Sequence, residues 1–255
     1  MVSAFLMGGL GNQMFQISAA YALALDNNDV AKFSLDSCYT PLQGHKASKY
    51  KTNIYKNIID EKDLKFSYIH EEQSHAFEEI QYKNNLLIKG YFQDERYFCR
   101  HKEQITNLFH IDQKHKDLLN EKFDFVNKKY ISVQIRRGDY LKFQDIHPTC
   151  SLKYYKEAMS YFGLNKNYIF VSDDIEWVKQ NFIGDNYTYF EEDNEILGIT
   201  ALVMSEHNII SNSSFGWWGA YLNRNRNKIV VAPKTWFGPK GPKESEIQLK
   251  EWISI

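Results

Sequence analysis

From residue 130 onward the chain alternates between two kinds of segment, and that alternation limits it to few folds. Short runs rich in β-branched and aromatic residues, at 130–135, 168–171, 208–210 and 228–232, have the length and composition of strands. Between them lie stretches of helical length, at 151–162, 175–182, 194–206 and 214–222, the first opened by Ser151 as an N-cap. Strands that alternate with helices run parallel and are covered on both faces of the sheet. The opening residues follow the same scheme: a strand at 2–6, the loop "GGLGN", a helix at 13–25 capped by Asn12, and a second strand at 31–35 ending at Asp36. Met14, Ile17, Tyr21 and Leu25 give that helix an apolar face.

The middle is less regular. Residues 38–85 are polar and weakly patterned, 86–93 reads as a strand, 94–109 and 112–123 as helices, and 124–129 as a link. The expectation is an α/β protein of two Rossmann-like domains, residues 1–125 and 126–255, facing each other across a cleft, with the C-terminal tail packing back on the first. A chain of 255 residues is long enough for two such domains. Its net charge of −1 lacks the basic excess of a nucleic-acid binder. Cys38, Cys99 and Cys150 are odd in number and far apart, which fits neither a zinc site nor a disulfide framework. No run approaches the roughly 18 apolar residues of a membrane span, and the N-terminus lacks a basic leader, so the expected location is the cytoplasm, free or peripheral at the inner face of the membrane.

Four turns carry chemistry. Where the strand at 130–135 ends, Arg136, Arg137, Gly138 and Asp139 follow directly. Guanidiniums beyond the carboxyl end of a strand suit an anion with several oxygens, such as a diphosphate, although a surface Arg–Asp turn has the same spelling. The glycine loop Gly8, Gly9, Leu10, Gly11, Asn12 opens a helix whose free N–H groups favour an anion; it is also half of a dinucleotide fingerprint, or a plain tight turn. Asn212, Ser213 and Ser214 begin the helix at 214–222, while Trp217 and Trp218 read as core. Asp173 and Asp174 end the strand at 168–171: they could hold a metal, read a guanine edge, or cap the next helix.

In order, "GGLGNQMFQ", "GYFQDERYF", "RRGDY", "FVSDD", "HNIISNSSFGWWGAYLN" and "VAPKTWF" resemble the α-1,2-fucosyltransferases of the inverting glycosyltransferase family 11, over nearly the whole chain. The resemblance implies a GT-B arrangement, with GDP-fucose held mainly by the C-terminal domain and the N-terminal domain on the acceptor side. It assigns Arg137 to the donor diphosphate and Arg136 to a supporting role. Asn12, with Gly9 and Gly11, falls near the diphosphate or fucose; Ser213 and Ser214, with Phe215, meet the β-phosphate; and Asp173 reads guanine. The family pattern has a histidine where this chain has Gln134, which can still hydrogen-bond a donor but cannot become cationic.

The implied reaction is displacement of GDP from GDP-β-L-fucose by an acceptor hydroxyl, O2 of a terminal galactose on an oligosaccharide or lipid-linked glycan. Arginines and helix N-termini at the leaving group make a metal or other cofactor unnecessary. Asp139 and His147, just downstream of the arginines, are the candidates to take the acceptor's proton. Two other classes compete. A dinucleotide-dependent oxidoreductase would use the glycine loop and Asp36, and a nucleotide-sugar-binding module would keep the fold without turnover.

Overall fold

The computed structural model describes residues 1–37, 45–163 and 165–255. Cys38 and the first part of the weakly patterned stretch lie outside the described residues. The chain forms two compact units: Met1–Asp112 with Lys243–Leu249, and Gln113–Pro242 with Lys250–Ile255.

In the first unit, strand β1 (Val2–Ala4) leads through the glycine loop into helix α1 (Leu10–Asp26). Strands β2 (Tyr68–Glu71) and β3 (Leu86–Lys89) follow, then the short helix α2 (Lys102–Leu108). The three strands make a parallel sheet in the order β1-β3-β2. Helix α1 starts earlier than the sequence pattern suggests. The Gln13 N–H donates to the Gly9 carbonyl at 3.1 Å, so Gly9 is the N-cap and Asn12 lies within the first turn. The strand expected at 31–35 is reduced to isolated bridges, Val2 with Ala31 and Phe33 with Asp60. The segment divides its backbone bonds between β1, through Val2, and residues 59–61, through Phe33, so no continuous ladder forms.

The second unit begins with helix α3 (Gln113–Phe123). It continues through β4 (Tyr130–Ile135), α4 (Leu152–Ser160), β5 (Asn167–Ser172), α5 (Ile175–Asn181) and β6 (Tyr187–Tyr189). Helix α6 (Glu195–Met204), β7 (His207–Ile209), α7 (Ser214–Leu222), β8 (Val230–Ala232) and β9 (Ile253–Ser254) complete it. The division falls at residue 113 rather than after 125 because α3 belongs to the second core. Leu119 is buried with Phe125, Tyr130, Leu197, Ala201 and Leu202.

All six strands of this unit are parallel, in the order β6-β5-β4-β7-β8-β9. The chain leaves β4 in one direction through β5 and β6, then returns through α6 to pair β7 against the other side of β4. In a doubly wound sheet this reversal opens a crevice at the carboxyl ends of the two strands that flank it. Here those strands are β4 and β7.

Helices α6 and α7 meet closely where Gly219 faces Leu202. A Cβ at residue 219 would lie 2.5 Å from Leu202 Cδ1 and 2.6 Å from its Cβ. The end of α7 is closed by Lys228, whose Nζ donates to the carbonyls of Ala220 and Asn223, each at 2.6 Å. Gly219→Ala is therefore expected to destabilise the second unit by about 1–3 kcal/mol, the cost of overpacking a filled core. A lowered urea midpoint is the readout, and an unchanged midpoint would mean that the helices separate freely.

Candidate active site

The residues that follow β4 are held by the two aspartates that follow β5. Asp173 accepts from the Arg137 backbone N–H at 2.9 Å through Oδ1, and its Oδ2 pairs with Arg136 Nη1 at 3.2 Å. Gly138 makes this approach possible, since a Cβ there would sit 2.5 Å from Asp173 Oδ2. Arg136 Nη2 also pairs with Asp139 Oδ1 at 2.6 Å, so both terminal nitrogens of Arg136 are engaged.

Arg137 is held differently. Its Nε donates to Asp174 Oδ2 at 2.9 Å, and its guanidinium carbon lies 3.9 Å from the centre of the Trp177 ring. Its Nη1 and Nη2 make no hydrogen bond among the described residues. Asp174 also caps α5, accepting from the Trp177 N–H at 3.3 Å. The two adjacent arginines thus differ: Arg136 is a brace, and Arg137 presents an open fork.

The neighbouring loop, after β7, is fixed from below. Gln134, 4 % exposed, accepts through Oε1 from the Ser211 N–H at 3.2 Å and the Ser211 hydroxyl at 2.6 Å. Gly216 leaves room for it: a Cβ there would lie 2.5 Å from the same oxygen. Asn212 Nδ2 donates to the carbonyls of Pro148 at 2.9 Å and Trp236 at 2.8 Å, and the Tyr140 hydroxyl donates to the Asn212 carbonyl at 3.1 Å. Cys150 Sγ donates to Asn212 Oδ1 at 3.5 Å, and burial pushes its thiol up to about 11, so it stays protonated at neutral pH. Ser213 is then the N-cap residue of α7, its hydroxyl not used for capping, and Ser214 is the first helical residue. The N-terminal, positive end of α7 thus follows the carboxyl end of β7, one of the two strands that flank the crevice.

Three residues expected at the donor make contacts within the second unit. Gln134 is a buried tie between β4 and the β7–α7 loop, because its carbonyl oxygen is taken by Ser211. Asp173 has one contact from the arginine loop on each oxygen, while its side chain stays 27 % exposed. Phe215 turns into the core beside Leu197, Val171 and Phe190, because Gly198 opens a place for its ring. Of the two candidate proton acceptors, Asp139 is ion-paired with Arg136, while His147 stacks on Tyr140, ring centres 4.9 Å apart, and also meets Phe237. Burial pushes the Tyr140 phenol well above its ordinary range, which keeps it a neutral donor to Asn212.

In the first unit, Gly8 has φ +76°, and a Cβ there would meet Asn12 Nδ2 at 2.6 Å. Asn12 Oδ1 accepts from Gln93 Nε2 at 2.8 Å, while Gly9 caps α1 and Gly11 is buried within its first turn. Gln93, Ser211 and Trp177 are contributors that sequence reasoning missed. Only Trp177 left a usable signal, standing three residues after a capping aspartate and so on the same helical turn.

Residues 1–255 match the family "Glycosyl transferase family 11", and the chain belongs to that family. The O-antigen biosynthesis glycosyltransferase WbnK of Escherichia coli is 33% identical, over 98% of this chain and 99% of its own length. An α-1,2-colitosyltransferase of the same species is 32% identical, over 100% of this chain and 98% of its own. A galactoside 2-α-L-fucosyltransferase of Caenorhabditis elegans is 25% identical, over 90% of this chain and 71% of its own. The crystal structure of fucosyltransferase NodZ from Bradyrhizobium superposes with a TM-score of 0.54 at 12% identity, covering 86% of this chain and 91% of that one. The α/β, GT-B-like fold class and the family read from the motifs both hold.

The different roles of the two arginines can be measured without a substrate. Arg136→Met should lower the urea midpoint by the equivalent of about 1 kcal/mol, the upper range for a partly exposed pair. Arg137→Met should change it by less than half as much. The opposite ranking would mean that Arg137 is the brace.

Proposed function

We propose that this family 11 glycosyltransferase moves L-fucose from GDP-β-L-fucose, with inversion, to O2 of a terminal galactose on an oligosaccharide or lipid-linked acceptor. The observation that carries the reading is the open Nη1/Nη2 edge of Arg137 just beyond the carboxyl end of β4, a strand that flanks the reversal of a doubly wound sheet. That is where such a sheet binds a nucleotide, and a planar fork with two free N–H donors matches two diphosphate oxygens.

As the glycosidic bond breaks, negative charge builds on the departing GDP. Arg137 and the N–H groups at the start of α7 stabilise that charge more than they stabilise the bound donor, which lowers the barrier. Asp173 and Asp174 are held by the arginines, so the carboxylates that would otherwise bind a cation serve to orient guanidiniums instead. The transfer therefore proceeds without a metal. The acceptor hydroxyl passes its proton to Asp139 or His147. Among the described residues no helix is long and apolar enough to cross a membrane. We place the reaction in the cytoplasm, at or near the inner membrane face.

A second reading keeps the chemistry and changes the sugar. Because a relative of nearly full coverage is an α-1,2-colitosyltransferase, GDP-linked colitose is the rival donor. Purified protein offered each GDP-sugar with a galactose-terminated acceptor, in EDTA and with added Mg²⁺, tests both readings. Fucose transfer at similar rates with and without EDTA is expected, and Arg137→Lys should lower kcat by roughly a hundredfold, as loss of an oxyanion donor does. Transfer of colitose alone would select the second reading. A tenfold loss on chelation, restored by metal, would overturn the metal-free mechanism.

A further inference from the structure

Arg137 is reached through a flexible stem at the end of a strand, and a fork on such a stem recognises two oxygens only if its plane and its rotation are fixed. Both are fixed here, by the first turn of α5. The face of the guanidinium lies against Trp177, with 3.9 Å from its carbon to the ring centre, and this sets the plane. Asp174 Oδ2 binds Nε alone at 2.9 Å, which sets the rotation within that plane. The edge carrying Nη1 and Nη2 is left facing away from the carboxylate.

The two residues that do this are themselves anchored. The Asp174 N–H donates to Ser172 Oγ at 3.0 Å, and Asp174 Oδ1 accepts from the Trp177 N–H at 3.3 Å. The Trp177 ring stands edge-on to Phe182, which is 3 % exposed, with ring centres 6.0 Å apart. Arg136 has no such arrangement: its guanidinium carbon is 5.4 Å from the Tyr140 ring centre, and its two terminal nitrogens are occupied.

We propose that Trp177 and Asp174 are positioning residues, which hold the Arg137 fork in the plane and rotation that receive two oxygens of the donor's diphosphate. The inference rests on the reading of Arg137 as the diphosphate ligand. It adds a residue pair that acts on turnover only through that fork. Trp177 supplies a rigid face without competing for the N–H donors, and Asp174 takes the one N–H that the diphosphate does not need.

The test uses the full chain, with GDP binding by calorimetry, turnover with GDP-fucose and melting temperature measured for each variant. Trp177→Leu removes the face and should lower kcat on the order of 10- to 100-fold, as a misplaced catalytic group does, while Trp177→Phe keeps an aromatic face and should restore most of it. Asp174→Ser retains an N-cap but is too short to reach Arg137 Nε, so kcat should fall about tenfold or more with little change in melting temperature. In an Arg137→Lys background, which has no fork to orient, Trp177→Leu should add less than about a twofold effect. Should Trp177→Leu fail to fold, Asp174→Ser alone and combined with Arg137→Lys carries the same comparison.

The inference is overturned, with the reading of Arg137 intact, if Arg137→Lys impairs turnover but Asp174→Ser and Trp177→Leu match the wild type. It is also overturned if the effect of Trp177→Leu is undiminished in the lysine background, or if Trp177→Phe is as poor as Trp177→Leu, since either would mark a merely structural tryptophan. If the wild type does not bind GDP, or Arg137→Lys changes neither binding nor turnover, the underlying reading fails and the inference fails with it.

Discussion

The carboxylate of Asp173 joins the ends of two adjacent strands, and the shape of the candidate site follows from it. One oxygen takes the backbone N–H of Arg137 and the other the side chain of Arg136. The loop after β4 is thereby drawn against the loop after β5, closely enough that a Cβ at residue 138 would press on the Asp173 carboxylate at 2.5 Å. With the backbone fixed, the side chains of the two arginines diverge. Arg136 is closed off by carboxylates on both terminal nitrogens, whereas Arg137 is steered by Trp177 and Asp174 with its outer edge left open. A pair of identical residues in sequence becomes one closed brace and one open fork.

A second tie crosses the reversal of the sheet itself. Gln134 on β4 and Ser211 after β7 are both buried, and their hydrogen bonds set the depth of the loop that opens α7. A buried polar pair of this kind is stabilising only while both partners are present, because either one alone would be left desolvated and unsatisfied. The glycine at 216 is required by the same contact. Asn212, gripping two carbonyls, extends the support to the segments at 148 and 236. The loop that opens α7 is thus tied to three other segments of the second unit.

Most of the second unit was legible because its signals are local. The apolar runs of β4 and β5 stand out, Ser151 and Asp174 cap the helices that follow them, and Asn194 caps α6. Strands β6 and β9 escaped notice because three and two residues are too few to show a period, and they form by pairing with edges already present. The family could be read from motifs, but the direction of each side chain could not. Gln134 and Phe215 have the chemistry of ligand contacts and turn inward because glycines at 216 and 198 leave space for them. Asn12 looks like a helix cap, but the helix is already closed one turn earlier by Gly9. These choices depend on residues far away in sequence.

The central claim is that the anion site of this enzyme is the open edge of Arg137 at the reversal between β4 and β7. The most direct measurement is a crystal structure of the chain with GDP bound. The account predicts the diphosphate with oxygens on Arg137 Nη1 and Nη2 and near the backbone N–H groups at the start of α7, while Arg136 keeps its pairs with Asp139 and Asp173. A diphosphate bound away from Arg137, or one that draws Arg136 from its two carboxylates while Arg137 stays uninvolved, would contradict it.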